Sequence, residues 1–168
     1  MNKTTVLNPK KVTQIIKRIA YQLFEDFLTE DEIVMVGIER NGFLFAQLLA
    51  NELNKLSINN NTVLLCSAKI DKSNPSTEGV EISVPNSSYE GKNVIIVDDV
   101  LNSGRTLLHT VGKLMQTELE LMRTVTLVDR RHRKFPIKAD YVGLTLSTTL
   151  QEHIEVEFDG GNVSAYLV

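Results

Sequence analysis

The sequence predicts an α/β domain with a central, mostly parallel, twisted sheet flanked by helices. Three observations carry that expectation. Short segments such as IVMVG (33–37), TVLLC (62–66), NVIIVDD (93–99) and TVTLVD (124–129) hold continuous apolar runs, as strands covered on both faces do. Stretches with apolar residues at three- and four-residue steps alternate with them. Strands alternating with helices imply right-handed βαβ crossovers, and therefore a parallel sheet.

The first helix is expected from Val12 to Phe27, because Val12, Ile15, Ile16, Ile19, Leu23 and Phe27 recur at helical spacing. After TEDE, the run IVMVG reads as a central strand. ERNG then leads into a second helix over about 43–55, with Ala46, Leu49 and Leu53 on one face, and TVLLC follows as the next strand. Residues 67–90 scatter Ser, Asn, Pro and Gly around a short strand signal near VEISV. They read as a mobile functional loop. NVIIVDD is the third strong strand, followed by a helix from about Gly104 to Thr117, and TVTLVD is the fourth. DYVGLTL (140–146) and IEVEF (154–158) are further strands, and DGGN offers a tight turn into VSAYLV, a closing C-terminal hairpin. With no internal repeat and no linker, residues 1–168 read as one domain.

Composition narrows the functional classes. Net charge is −3, so no global basic field draws the chain to nucleic acid. The single cysteine, Cys66, excludes an intramolecular disulfide and reads as a small strand-end hydrophobe. The opening MNKTTVLNPKK lacks the apolar core of a signal peptide, and no segment is long enough to span a membrane. A cytoplasmic protein is the expectation.

The stretch NVIIVDDVLNSGRTLL (93–108) carries the chemistry. Folding alone gives no reason to place Asp98 beside Asp99 at the mouth of a buried strand, because like charges repel and burial raises the cost. In open α/β sheets ligands bind beyond the carboxyl ends of strands. The polar turn that follows opens a helix, whose free N–H groups attract an anion. Asn102, Ser103 and Thr106 add polar side chains, Gly104 permits close backbone approach and Arg105 adds positive charge. A carboxylate pair accepts hydrogen bonds from a ribose diol while the turn holds a phosphate. A ribose 5-phosphate satisfies both halves.

VIIVDDVLNSGRTL closely resembles the phosphoribosyl pyrophosphate (PRPP) signature of type I phosphoribosyltransferases. The segment VGIERNGFLFAQLLANEL is similar to that family's pyrophosphate loop, and LVDRRHRKFPIKADYVGLTL to the base-binding region of one subgroup, about 128–150 here. That subgroup is the bacterial pyrimidine operon regulator that is also a uracil phosphoribosyltransferase; KRIAYQLFED resembles its first helix. The resemblance implies the type I phosphoribosyltransferase fold, with a flexible loop closing over the active site, and transfer of ribose 5-phosphate from PRPP to a nucleobase, uracil first. It implies Mg²⁺ as cofactor, oriented by Asp98 and Asp99 directly or through water, with the same two residues steadying the positive sugar. Asn102, Ser103, Gly104, Arg105 and Thr106 would hold the ribose 5-phosphate beside them, and Glu39, Arg40, Asn41 and Gly42 the pyrophosphate.

At Asn41 the subgroup usually has arginine, which Arg40 replaces one place earlier. Lys69 and Lys72 are the loop candidates for reaching the phosphates. For the base, Tyr141 is the stacking residue and Val142 a main-chain contact, with Asp129 and Arg130 at the end of the preceding strand. Asp129 stands where purine-salvage relatives carry a lysine, which argues for a pyrimidine. Two alternatives remain: a UMP-sensing RNA-binding attenuation regulator of pyrimidine genes, and a purine-salvage phosphoribosyltransferase. The RNA reading uses Lys17, Arg18, His132 and Arg133, but Tyr21 replaces the subgroup's histidine. His109 and His153 read as surface residues. A homodimer or higher homo-oligomer is expected, as is usual for the family.

Overall fold

Helix α1, Pro9–Asp26, starts three residues before the Val12 expected from its apolar spacing, and local chemistry explains why. Asn8 caps it by accepting a hydrogen bond from the Lys11 backbone N–H at 2.9 Å, and Pro9 occupies the first turn, where its missing donor costs nothing. Its apolar stripe of Val12, Ile16, Ile19, Ala20 and Leu23 is buried. The computed structural model describes residues 3–27, 32–56, 62–71, 73–147 and 152–168. Around α1 the chain forms β1 (Thr4–Leu7), β2 (Glu32–Ile38), α2 (Asn41–Leu56), β3 (Thr62–Lys69), β4 (Glu81–Ile82), β5 (Asn93–Leu101), α3 (Arg105–Leu114), β6 (Leu121–Asp129), β7 (Tyr141–Thr145), β8 (Ile154–Asp159) and β9 (Asn162–Leu167).

The main sheet has the order β4-β3-β2-β5-β6-β7, parallel except for β4, which runs antiparallel to β3. The apolar runs that predicted its strands are double-sided for a reason visible in the packing. In β2, Ile33 and Met35 enter one core with α1, α2 and the hairpin, while Val34, Val36 and Ile38 enter a second with Leu107 and Leu114 of α3. From β2 the chain steps outward to β3, then returns to the other side of β2 as β5 and continues outward through β6 and β7. The β2/β5 junction is thus the topological switch point, where α/β sheets open a crevice at their carboxyl ends.

Several expectations change. The strand carrying the carboxylates does not stop at them: β5 continues through Val100 and Leu101, which pair with Val128 and Asp129. Helix α3 is shorter than its pattern, running from Arg105 to Leu114. The C-terminal hairpin forms as expected but joins a separate three-stranded antiparallel sheet, β1-β9-β8, whose first strand the sequence pattern did not reveal. The 67–90 segment is not a free loop. Val80 and Tyr89 are buried in the second core, Ile82 pairs with Ala68, and the Thr77 hydroxyl lies 3.0 Å from His109 Nδ1 on α3. Two apolar anchors and this contact lay the segment onto the sheet and α3, and His109 is half-buried rather than a free surface residue.

Tyr141 also moves. It opens β7 opposite Val125, inside the core shared with α1, and its hydroxyl donates to the Asp26 carboxylate at the end of α1. Burial, then the Asp26 carboxylate, push its hydroxyl above the usual tyrosine range. A ring packed under α1, four residues before the end of β7, is not at the mouth of the crevice. The expectation that it stacks on a base is therefore corrected: Tyr141 fastens α1 to the sheet.

Burial likewise pushes the Cys66 thiol up from 9.0 to about 11. Both groups bind their proton more tightly when folded, so their share of stability is complete below the ordinary values and lost as pH rises through the folded ones. Equilibrium urea unfolding should therefore give a stability that falls as pH climbs from 9.0 towards about 11. Iodoacetamide should leave Cys66 unmodified at pH 8 and alkylate it in denaturant. Tyr141→Phe should lower the unfolding free energy by about 1 kcal/mol, the worth of one hydrogen bond.

Candidate active site

Asp98 and Asp99 lie in the carboxyl half of β5, only 5% and 9% exposed, immediately past the last pairing of β5 with β2 at Val97 and Gly37. There β2 has already turned away into Glu39 and Arg40, whose peptide bond is cis, leaving the two carboxylates at the switch point. Asp98 Oδ1 accepts the backbone N–H of Asp99 at 3.0 Å. Asp99 Oδ2 accepts from Asn41 Nδ2 at 3.1 Å. The same Asn41 nitrogen donates to the carbonyl of Val156 in β8 at 2.9 Å.

The turn that follows β2 sits hard against β5. A Cβ on Gly42 would lie 2.9 Å from the Val97 carbonyl oxygen and 3.0 Å from Asp98 Cα, so no side chain fits there. That approach aims the N-terminus of α2 at the carboxylate pair, with its unpaired N–H groups and the positive end of the helix dipole. Beside it opens a cavity of about 500 Å³, lined by Glu39, Arg40, Asn41, Lys69, Ile70 and Asp99. Of the expected pyrophosphate residues, Glu39, Arg40 and Asn41 are thus brought together with Lys69 and Asp99, while Gly42 packs against β5. Glu39 itself is partly engaged: its N–H donates to Ala68 O at 2.9 Å, and Ser67 Oγ approaches its carboxylate at 3.4 Å. Lys72 lies outside the described residues.

The second half of the site is the turn from Asn102 to Thr106. Gly104 adopts φ +83°, a left-handed conformation, and a Cβ there would meet Ile137 Cγ2 at 2.5 Å. Ser103 holds the turn: its hydroxyl accepts the Arg105 N–H at 3.3 Å, and its carbonyl accepts from the N–H groups of Lys134 and Phe135. Residues 98 and 100–107 enclose a small cavity of about 70 Å³ at the start of α3. Free helix N–H groups, hydroxyls and Arg105 around such a hollow make an anion cradle.

The base-side expectations need the most revision. Asp129 is buried, and its carboxylate accepts the Arg131 N–H at 2.8 Å while pairing with Arg133. A buried carboxylate needs such donors, and these fold the loop after β6, where Arg131 takes φ 58°. Asp129 shapes that loop instead of facing a ligand. Arg130 joins three segments, donating to Asn102 Oδ1 at 2.8 Å and to the Glu152 carbonyl, with His153 Nδ1 at 3.4 Å. The Val142 carbonyl is taken by Arg18, which bonds it at 3.1 Å and the Gly143 carbonyl at 2.7 Å. Val142 is therefore not an open base contact. Of the four residues of the RNA reading, Arg18 and Arg133 are held by the fold, Lys17 is exposed on α1, and His132 borders a cavity.

That cavity, about 340 Å³, is bounded by Asn102, Ser103, Arg130, His132, Lys134, His153 and Ile154. It adjoins the 102–106 turn and is what the sequence reading missed. His153 and Ile154 come to it only because the hairpin folds back over β5 and β6, a long-range event with no local signature. Residues 148–150 of the expected base region lie outside the described residues. A further cavity of about 220 Å³, between α1, α2 and the β8–β9 turn, contains none of these groups.

Comparison with known proteins bears on the family and the fold. A phosphoribosyl transferase domain model matches residues 3–159. The chain is 33% identical to the bifunctional protein PyrR of Actinobacillus pleuropneumoniae, over 94% of this chain and 92% of that one. It is 35% identical to the bifunctional protein PyrR of Citrifermentans bemidjiense, over 95% and 93%. A solved hypoxanthine-guanine phosphoribosyltransferase of Bacillus anthracis superposes with a TM-score of 0.76, covering 99% of this chain and 98% of that one at 24% identity, which speaks to the fold. With the domain match running nearly end to end and two relatives above 30% identity, the chain belongs to the type I phosphoribosyltransferase family.

Proposed function

We propose that the protein transfers the ribose 5-phosphate group of PRPP to uracil, forming UMP and pyrophosphate. One observation carries the reading: a carboxylate pair on β5 and an anion cradle in the turn that follows it lie side by side, with the start of α2 facing the pair. In this assignment the 102–106 turn holds the 5-phosphate through Ser103, Arg105, Thr106 and the helix N–H groups. Asp98 and Asp99 accept from the ribose hydroxyls. The diphosphate lies in the 500 Å³ cavity between the α2 N-terminus, Arg40 and Lys69. The base enters the 340 Å³ cavity between the loop after β6 and the start of β8.

The bond from the anomeric carbon to the diphosphate oxygen breaks as the bond to the base nitrogen forms, and the N–H proton of the base passes to solvent. Positive charge grows on the sugar next to two fixed carboxylates, while the leaving group gains negative charge opposite a helix N-terminus and two cations. Asp98 and Asp99 suit Mg²⁺, a hard cation that takes one or two carboxylates together with substrate phosphates. Bound there, it would supply charge neutralisation for the leaving diphosphate. Uracil is supported by the likeness of residues 128–143 to the pyrimidine subgroup and by the PyrR relatives. Asp129 no longer contributes to that choice, because its carboxylate is bound within its own loop.

Steady-state turnover with PRPP and Mg²⁺, offering uracil, hypoxanthine, guanine, xanthine, adenine and orotate in parallel, tests the proposal. UMP from uracil alone supports it. Turnover of a purine instead replaces the base assignment, and silence with every base removes the enzyme reading. EDTA should abolish turnover, and added Mg²⁺ restore it. Asp99→Asn should lower kcat by about 10²-fold, the scale of losing one electrostatic group at the reacting centre, with the melting temperature little changed. Gly104→Ala should weaken UMP binding at least about tenfold in calorimetry, because its turn requires positive φ.

A further inference from the structure

Asn41 occupies the place where the subgroup usually carries arginine, and its side chain does something specific to this chain. Its amide nitrogen has two hydrogens. One goes to Asp99 Oδ2 at 3.1 Å, the other to the Val156 carbonyl at 2.9 Å. Two acceptors on one planar nitrogen fix the plane of the amide, since both donor directions are taken. Among the described residues, no other side chain donates to the Asp99 carboxylate. The other acidic residue is held differently, by the backbone N–H of Asp99 itself.

The anchor matters as much as the contact. Val156 lies in β8, on the small sheet, and is itself 5% exposed. Asp99 lies in β5 of the main sheet. Asn41 begins α2, and Gly42 presses that start against Val97 and Asp98. One side chain therefore ties together the pyrophosphate turn, a carboxylate of the β5 pair and the hairpin that walls the base-side cavity. An arginine there would carry its donors several bonds further from the backbone, so a short amide is what allows this particular three-way contact.

Resting on the transferase reading above, we infer that Asn41 is a positioning residue: held by the Val156 carbonyl, it sets the rotamer of Asp99 and couples that carboxylate to the seating of the hairpin. It makes no bond to the reacting atoms. Its effect on turnover passes through Asp99.

The test is a double-mutant cycle with a spectroscopic control. Asn41→Leu keeps the size and removes both donors; thermal melting establishes that it folds, and Asn41→Ser serves if it does not. The variant is expected to lower kcat about tenfold or more while KM for PRPP changes less than about threefold, because orientation of a reacting group is felt in the transition state. In an Asp99→Asn background the same change should cost little further, since groups acting through one another are non-additive. Unchanged kcat, or losses that add in full, overturns the inference. Independently of activity, the Asn41 side-chain NH₂ signals in a ¹H–¹⁵N spectrum, identified by their loss in Asn41→Leu, should shift in Asp99→Ala. Signals that stay put overturn it as well. If the wild-type chain turns over no base, the transferase reading fails on its own, and the spectrum still decides whether Asn41 holds Asp99.

Discussion

Two carboxylates buried side by side towards the carboxyl end of the central strand are the constraint around which this molecule is arranged. Each is nine-tenths or more out of solvent, and their attachment to consecutive residues forbids them from separating. Charges in that position are tolerated only where donors and positive potential are supplied nearby. The fold supplies them in three forms. The backbone of β5 turns an N–H onto Asp98, Asn41 turns an amide onto Asp99, and the start of α2 is brought so close to the strand that only glycine fits at position 42.

The close approach at Gly42 in turn explains the architecture beyond it. A helix start can be pressed against β5 only where β2 and β5 are neighbours and the chain has left in opposite directions from them. That arrangement opens the crevice on one side of the pair, and the turn clamped by Ser103 lies on the other. The three-stranded sheet then closes over the top, and Arg130 fastens its entry to both the β5 and β6 loops. Anion cradle, carboxylate pair and roof are consequences of one packing decision at a strand end.

Much of this was legible in the sequence, and the reason is locality. β2, β5 and α1 announce themselves through runs and spacings that neighbouring residues determine together, and the turn at 102–106 needs its glycine and hydroxyls within a handful of positions. What could not be read depends on partners far along the chain. Tyr141 looks like a ring on offer until Asp26, 115 residues away, takes its hydroxyl. Asp129 looks like an acceptor facing a ligand until the loop curls Arg133 onto it. The role of Asn41 is invisible without Val156, again 115 positions distant, and β1 has no strand signature because its partner is β9.

The grip of Arg18 on the carbonyls of Val142 and Gly143 has a bearing on how the molecule behaves in a crowded solution. β7 is the last strand of the main sheet, and an outermost strand offers its unpaired peptide groups to any other chain that can lie alongside. A guanidinium reaching over from α1 bonds two carbonyls of this strand and sets a charge beside it. At the opposite flank β4 is only two residues long, too short to template a partner. Among the described residues the main sheet therefore offers little bare edge on either flank, and Arg18 is committed to its outermost strand.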